Sequence, residues 1–167
     1  MPAGAFAENA HAACLAFEFS SGSQRIIVNC GAAGSAQPKW ESALRATAAH
    51  STLVLADARW RRSCRRALPR NLLGARMLRG PKEIETRRVE TTQGWCVEAS
   101  HDAYMVPYGV RHERQITLSQ QGLAITGADR LLPVPSTKAK KDIPFAIRFH
   151  IHPDVRVLPE SRAAGCC

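Results

Sequence analysis

The stretch that decides the fold runs from Cys14-Leu-Ala-Phe-Glu-Phe-Ser20 into Arg25-Ile-Ile-Val-Asn29. In its first half large apolar residues occupy every second position, and this alternation is typical of a β-strand with one buried face. The residues between the halves, Ser21-Gly22-Ser23, suit a tight turn. The stretch therefore predicts a β-hairpin.

Strand patterns also dominate the rest of the chain, where short apolar runs are interrupted by turn pairs such as Gln93-Gly94 and Gln121-Gly122. The spacing of roughly 8–12 residues between turns favours an all-β fold, an antiparallel β-sandwich, over an α/β fold. The further predicted strands are 44–56, 82–91, 94–101, 111–119, 122–131 and 144–151. The predicted core consists of Leu15, Phe17, Ile26, Val28, Leu53, Leu55, Ile147 and Phe149.

Size and composition indicate one globular domain. The chain has 167 residues, of which 45% are hydrophobic and 22% charged, and this excludes a wholly disordered protein. The formal charge of +9 favours an anionic partner, and polysaccharide, nucleic acid and anionic membrane all qualify. No apolar run approaches the ~20 residues of a membrane span, and the N-terminus has no export-signal pattern.

Arginine is concentrated in residues 57–80, a long connection that we expect to run over the surface because its arginines could not be buried unpaired. The connection could bind sulfate, uronate or nucleic-acid phosphate, or be a solvated loop. No aromatic interleaving or nucleic-acid motif accompanies it, so a nucleic-acid partner is not predicted. The cysteines show no metal-ligand spacing, and Cys14, Cys30 and Cys96 lie in apolar runs that predict burial.

Three polar residues, His11, Asn29 and His50, lie at the edges of strand-like runs, and strand pairing could bring them together as a metal or proton-transfer site. A histidine at a strand edge is, however, more often a packing or surface residue than a ligand. Tyr104, Tyr108 and His112 could line a sugar groove or belong to a polar loop with half-buried aromatic rings. Alternation would place His101 and Asp102 on opposite faces of a strand.

Four phrases resemble one family. They are His11-Ala-Ala-Cys-Leu-Ala-Phe, Ala49-His-Ser-Thr-Leu-Val-Leu55, Ala99-Ser-His-Asp-Ala-Tyr104 and Phe145-Ala-Ile-Arg-Phe-His-Ile-His-Pro-Asp154. Together they resemble the C-terminal β-domain of heparinase II/III-like polysaccharide lyases. The resemblance implies a β-sandwich domain over 1–158, which family members continue with further strands, and an irregular tail at 159–167. It also implies a fragment without the family's N-terminal α/α-toroid, an anionic polysaccharide such as a glycosaminoglycan as partner, and a parent protein of the cell envelope or periplasm.

The resemblance further implies lyase chemistry, in which a base removes the proton beside a uronate carboxylate and an acid protonates the leaving oxygen. The family's catalytic histidine falls on Asn9, which can neutralise a carboxylate by hydrogen bonding but cannot move a proton near neutral pH. The family's structural zinc ligands fall on His11, Asn29 and His50, and an aspartate between them falls on Ala13. Because Asn29 is a neutral amide in place of a carboxylate, we expect zinc to bind weakly at this degenerate site.

Two hypotheses therefore stand. The first is the β-domain of a heparinase II/III-like lyase, which lacks a full acid/base set as an isolated chain. The second is a non-catalytic domain that binds polyanions or carbohydrate or has a structural role. An in-frame toroid encoded upstream of Met1 would favour the first.

Overall fold

The computed structural model describes residues 13–31, 43–44, 46–55, 81–135 and 142–158, and the elements below are those of the described residues. The strands are β1 (Phe19–Ser21), β2 (Gln24–Val28), β3 (Leu53–Leu55), β4 (Ile84–Thr91), β5 (Gly94–His101), β6 (Val110–Ser119), β7 (Ile125–Pro133), β8 (Phe145–Ile147) and β9 (His150–Ile151). A short helix, α1 (Met105–Tyr108), connects β5 to β6, and a 3-10 turn covers Thr47–Ala49. The predicted all-β fold is confirmed.

The strands form antiparallel sheets with the orders β1-β2-β9, β3-β8 and β4-β5-β6-β7. The core joins the β3-β8 pair to the four-stranded sheet, because Leu53 and Leu55 pack with Tyr104 and Val110 in one buried cluster. The Tyr104 hydroxyl donates a hydrogen bond to the Leu53 carbonyl at 2.9 Å, so the buried ring also satisfies its polar end. The arrangement is the predicted antiparallel sandwich.

The predicted hairpin is present, but its first strand is shorter than the sequence suggested. β1 begins only at Phe19, because Cys14 and Leu15 form a turn in which Leu15 adopts a left-handed φ of 53°. A left-handed residue reverses the local chain direction, so the alternation seen from Cys14 onward is not the alternation of one strand. The turn at Gly22, with φ of 57°, then connects β1 to β2 as predicted.

Two other strand predictions were too long. Within the described part of 44–56 the strand contains Leu53–Leu55 only, since Thr47–Ala49 form a 3-10 turn closed by a bond from the Ala49 N–H to the Ala46 carbonyl. Alanines lack the β-branching that favours extended backbone. The predicted strand 144–151 is divided into β8 and β9, which pair with different strands, β3 and β2.

The predicted core is partly wrong. Leu53 and Leu55 are buried, and the four hairpin residues are only half-buried, but Ile147 and Phe149 are 41% and 49% exposed. Ile147 ends β8, and Phe149 lies between β8 and β9, outside both strands. Alternation identified which residues share a face but not how far the opposite layer extends over that face.

The inner face of the four-stranded sheet bears the residues that concern function. Register places His101 opposite His112, and Arg114 opposite Asp129. Because directly opposed residues project from the same face, these four side chains point toward the smaller sheets. The buried end of this face is therefore polar in part.

Gly94 provides a test of the β4-β5 turn. Its φ is 139°, and a Cβ at this position would lie 1.9 Å from the Leu118 carbonyl oxygen. We expect Gly94→Ala to lower the free energy of unfolding by about 2–3 kcal/mol, because both the φ and the close backbone approach exclude a side chain. In the control Gly122→Ala the φ of 69° is also left-handed but the space is open, so urea denaturation should show a loss of only about 1 kcal/mol. Equal losses would contradict the close approach at Gly94.

Candidate functional site

A chain of hydrogen bonds runs through the buried end of the sandwich. His101 Nε2 lies 3.1 Å from His112 Nδ1, and His112 Nε2 lies 2.7 Å from Asp129 Oδ1. The Ala103 N–H donates to His101 Nδ1 at 3.1 Å. Strand register places the rings beside each other, and the turn before α1 brings the Ala103 amide back to the first ring.

The direction of this chain follows from its two ends. Since the Ala103 N–H is a donor, His101 Nδ1 must accept, so His101 carries its proton on Nε2 and donates it to His112 Nδ1. His112 then donates from Nε2 to the Asp129 carboxylate. Both imidazoles are thus neutral with all ring nitrogens bonded, as burial requires of polar groups.

The pKa values of His101 and Asp129 both favour this pattern of hydrogen bonds. Burial lowers the pKa of His101 from 6.5 to about 3, and the nearby His112, Arg111 and Arg114 act in the same direction. Burial alone would raise the pKa of Asp129, but hydrogen bonds from His112 and Arg114 outweigh that effect and hold the pKa below its usual value. A histidine with a pKa of about 3 is not an acid or base at neutral pH.

Arg114 connects the chain to the opposite layer. Its Nε and Nη2 donate to the two carboxylate oxygens of Asp129 at 2.8 and 3.0 Å, which is a bidentate pair. Its Nη1 donates to the carbonyls of Leu15 and Ser51, each at 3.0 Å. The guanidinium is therefore buried together with its counter-ion and joins the four-stranded sheet to two backbone segments.

Ser51 in turn connects to Asn29. The Ser51 N–H donates to Asn29 Oδ1 at 2.8 Å, and the Ser51 hydroxyl donates to the Val28 carbonyl at 2.8 Å. Asn29 Nδ2 makes longer bonds of 3.4 Å to the Phe17 carbonyl and to Glu18 Oε1. Asn29 thus holds the turn that contains the buried His50 close to the hairpin.

The predicted site residues are described only in part. Asn9 and His11 lie outside the described residues, so the substrate role of Asn9 and the convergence of the zinc set stay predictions. Asn29 and the residue after His50 are in direct contact. Asn29 is a poor zinc ligand, because its Oδ1 is a neutral amide oxygen that already accepts a hydrogen bond from the Ser51 N–H, and its amide nitrogen cannot coordinate zinc. Across the described ranges no group of three potential metal ligands occurs.

Other predicted residues have clear positions. Tyr104 and His112 are buried, so they do not line a sugar groove. His101 and Asp102 do point apart, since Asp102 Oδ1 accepts bonds from the Lys82 and Glu83 backbone. Burial of Cys14 is confirmed, and it raises the pKa of the thiol to about 12, so this thiol is not a nucleophile.

The outer face of the four-stranded sheet forms an open groove of about 270 Å³. The charged side chains that point into it come from facing positions on all four strands and are Glu85, Arg87, Glu98, Glu113 and Arg130; Arg114 also lines the groove, but its guanidinium bonds to Asp129 on the inner face. Three carboxylates against two guanidinium groups give this groove no excess of positive charge. The groove is therefore a poor match for a polyanion, despite the basic character of the whole chain.

Sequence reasoning missed the Arg114–Asp129 pair. A signal was present, because His112 and Arg114 are two apart on a predicted strand and must share a face. The partner Asp129 lies on the next strand, where its position opposite Arg114 depends on register. Register is set by the turn at residues 119–124, and its bonds from the Leu123 and Ala124 amides to Ser119 Oγ are not evident from alternation.

Comparison with known proteins identifies the family. The family model "Heparinase II/III-like, C-terminal" matches residues 1–166. FtsZ-localized protein C of Caulobacter vibrioides is similar, with 31% identity over 163 residues, covering 93% of this chain and 27% of that protein. The chain thus spans about a quarter of the length of this relative. No solved structure gives a significant match. Within the described residues no helix is long and apolar enough to cross a membrane. The chain belongs to the heparinase II/III-like family and contains its C-terminal domain.

Proposed function

We propose that the chain is the β-domain of a heparinase II/III-like polysaccharide lyase, a type of enzyme that cleaves uronate-containing glycans by β-elimination. In this proposal the domain supports a site shared with an N-terminal α/α-toroid and does not catalyse the reaction alone. Family membership supports the role in a lyase. The parent protein would act in the cell envelope or periplasm, where such polysaccharides are accessible.

One observation carries the proposal that the isolated chain is inactive. The buried histidines of the four-stranded sheet form a closed chain in which every ring nitrogen is bonded, and His101 has a pKa of about 3. β-Elimination needs a base and an acid that change protonation near the working pH and touch the substrate. Because both rings are buried and fully bonded, neither is suited to act on a substrate, and our proposal assigns the acid and the base to the toroid.

The test is the formation of unsaturated uronate, which absorbs in the ultraviolet. Purified chain incubated with heparan sulfate or another glycuronan should give no rise in absorbance above a control without protein. A rise that scales with protein concentration would contradict the need for a second domain. Sequencing of the genomic DNA upstream of Met1 is a second test. An in-frame toroid with tyrosine and asparagine in its cleft would support the role of the chain in a lyase.

A second candidate is a non-catalytic domain that binds polyanions or has a structural role. The name of the similar Caulobacter vibrioides protein refers to localisation with FtsZ and not to cleavage of polysaccharide. The fully bonded buried network is equally suited to a structural domain. Binding of heparin that weakens steeply with salt, without cleavage by the protein joined to any upstream domain, would favour this candidate.

A further inference from the structure

Three backbone segments meet behind the hairpin, and we call this place the junction: residues 14–17, 28–30 and 50–52. The family resemblance implies a structural zinc on His11, Asn29 and His50, and two of these residues, Asn29 and His50, belong to the junction. We propose that in this chain hydrogen bonds from three side chains, Asn29, Thr52 and Arg114, replace the metal ion as the cross-link of the junction.

Asn29 contributes the first cross-link. Its Oδ1 accepts from Ser51 at 2.8 Å, and its Nδ2 donates to the Phe17 carbonyl and to Glu18 Oε1 at 3.4 Å. One amide therefore contacts all three segments, since it belongs to the second and bonds to the first and third. An aspartate could accept the Ser51 hydrogen bond but could not donate to the Phe17 carbonyl. The amide is suited to a site held by hydrogen bonds rather than by a metal.

Thr52 and Arg114 contribute the others. The Thr52 hydroxyl donates to the Cys14 carbonyl at 2.7 Å, which joins the third segment to the first directly. Arg114 Nη1 donates to the Leu15 and Ser51 carbonyls, which belong to the same two segments. The junction therefore already contains a buried cation, and Asp129 neutralises that cation on its other side. These bonds to buried carbonyls hold the segments together as coordination by a divalent ion would.

The first experiment measures the midpoint of thermal unfolding of the 167-residue chain in EDTA and after addition of zinc alone. We expect the two midpoints of the wild-type protein to agree within about 1 °C, since in this proposal hydrogen bonds hold the junction without a metal ion. A wild-type midpoint that falls by several degrees in EDTA and is restored by zinc would overturn the proposal. The proposal would also fail if zinc raises the wild-type midpoint and His50→Ala abolishes the rise.

The second experiment compares Asn29→Asp with Gln24→Glu in EDTA. Gln24 is an exposed amide on the same hairpin whose side chain donates only to the neighbouring Arg25 carbonyl. Asn29→Asp should lower the midpoint by about 5 °C, because it removes the donor to Phe17 and places a carboxylate beside Glu18. Gln24→Glu should change it by less than about 1 °C. A chelated Asn29→Asp protein as stable as the wild type would show that the amide is not a cross-link.

Arg114→Lys and Thr52→Val test the remaining cross-links by the same measurement. Arg111→Lys is the matched control for the arginine, because Arg111 lies on the same strand but pairs with Glu83 and Glu85 on the outer face. The midpoint of thermal unfolding of each junction variant should lie several degrees below that of the wild type, both in EDTA and in zinc. The midpoint of the control should not change. None of these outcomes depends on lyase activity, so the proposal about the junction and the proposed function fail independently.

Discussion

Replacing Asp129 by alanine is expected to lower the free energy of unfolding by about 3–5 kcal/mol, the cost of leaving a buried charge without its partner. Asp129 accepts both bonds of the Arg114 bidentate pair and the Nε2 bond of His112. Its removal leaves Arg114, a residue only 4% exposed, without a counter-ion and the buried His112 imidazole without an acceptor. Urea denaturation at neutral pH measures the loss.

The matched control is Glu85→Ala on the outer face of the same sheet. Glu85 pairs with Arg111 at 2.9 Å, a distance similar to the bonds of Asp129, but its side chain is 74% exposed. Water screens and replaces such a pair, so the expected loss is below about 1 kcal/mol. Similar losses for the two variants would mean that burial does not govern the contribution of the Asp129 pair.

Acidification should destabilise the protein strongly, beginning well above the pH at which carboxylates normally titrate. His101 has a pKa of about 3 in the folded protein and 6.5 in the ordinary imidazole. Between these values the unfolded chain binds a proton that the folded chain does not, so stability falls as pH decreases through this window. The loss from this group approaches roughly 5 kcal/mol across the window, at about 1.4 kcal/mol per pH unit.

Asp129 adds to the effect at its lower end. Its folded pKa is below the ordinary 3.8, so its contribution is present above that value and is lost as pH falls through the folded pKa. Both groups therefore act in the same direction below about pH 4. The measurement is a series of urea denaturations from about pH 7 to about pH 3, so that it includes the range in which Asp129 contributes.

His101→Phe separates the contribution of this residue from the other titrating groups. The variant should be less stable than the wild type at neutral pH, because the Ala103 N–H loses its acceptor and His112 Nδ1 loses its donor. Its stability should depend less on pH between about 6.5 and about 4, since the group that resists protonation is absent. An unchanged slope in this range would assign the acid sensitivity to other residues.

The sequence predicted the class of fold and most strand positions because both depend on local chemistry. Alternation and the turn residues identified β4, β5 and β6 to within two residues at each end. The prediction failed where the deciding interaction lies elsewhere in the chain. Leu15 adopts a left-handed conformation in a turn. The Cys14 carbonyl of that turn accepts a hydrogen bond from Thr52, 38 residues away, and the Leu15 carbonyl accepts one from Arg114, 99 residues away.

The candidate site shows the same division. The sequence by itself determined that His112 and Arg114 share a face and that His101 and Asp102 point apart, because alternation along a strand is a local property. It also determined the resemblance to a lyase β-domain, because sequence motifs are properties of the linear chain. Only the tertiary structure decided that Arg114 meets Asp129, that His101 is too deeply buried to titrate near neutral pH, and that Asn29 bonds to Ser51. Register, depth of burial and contact between layers depend on where distant strands pack, and local pattern does not specify that.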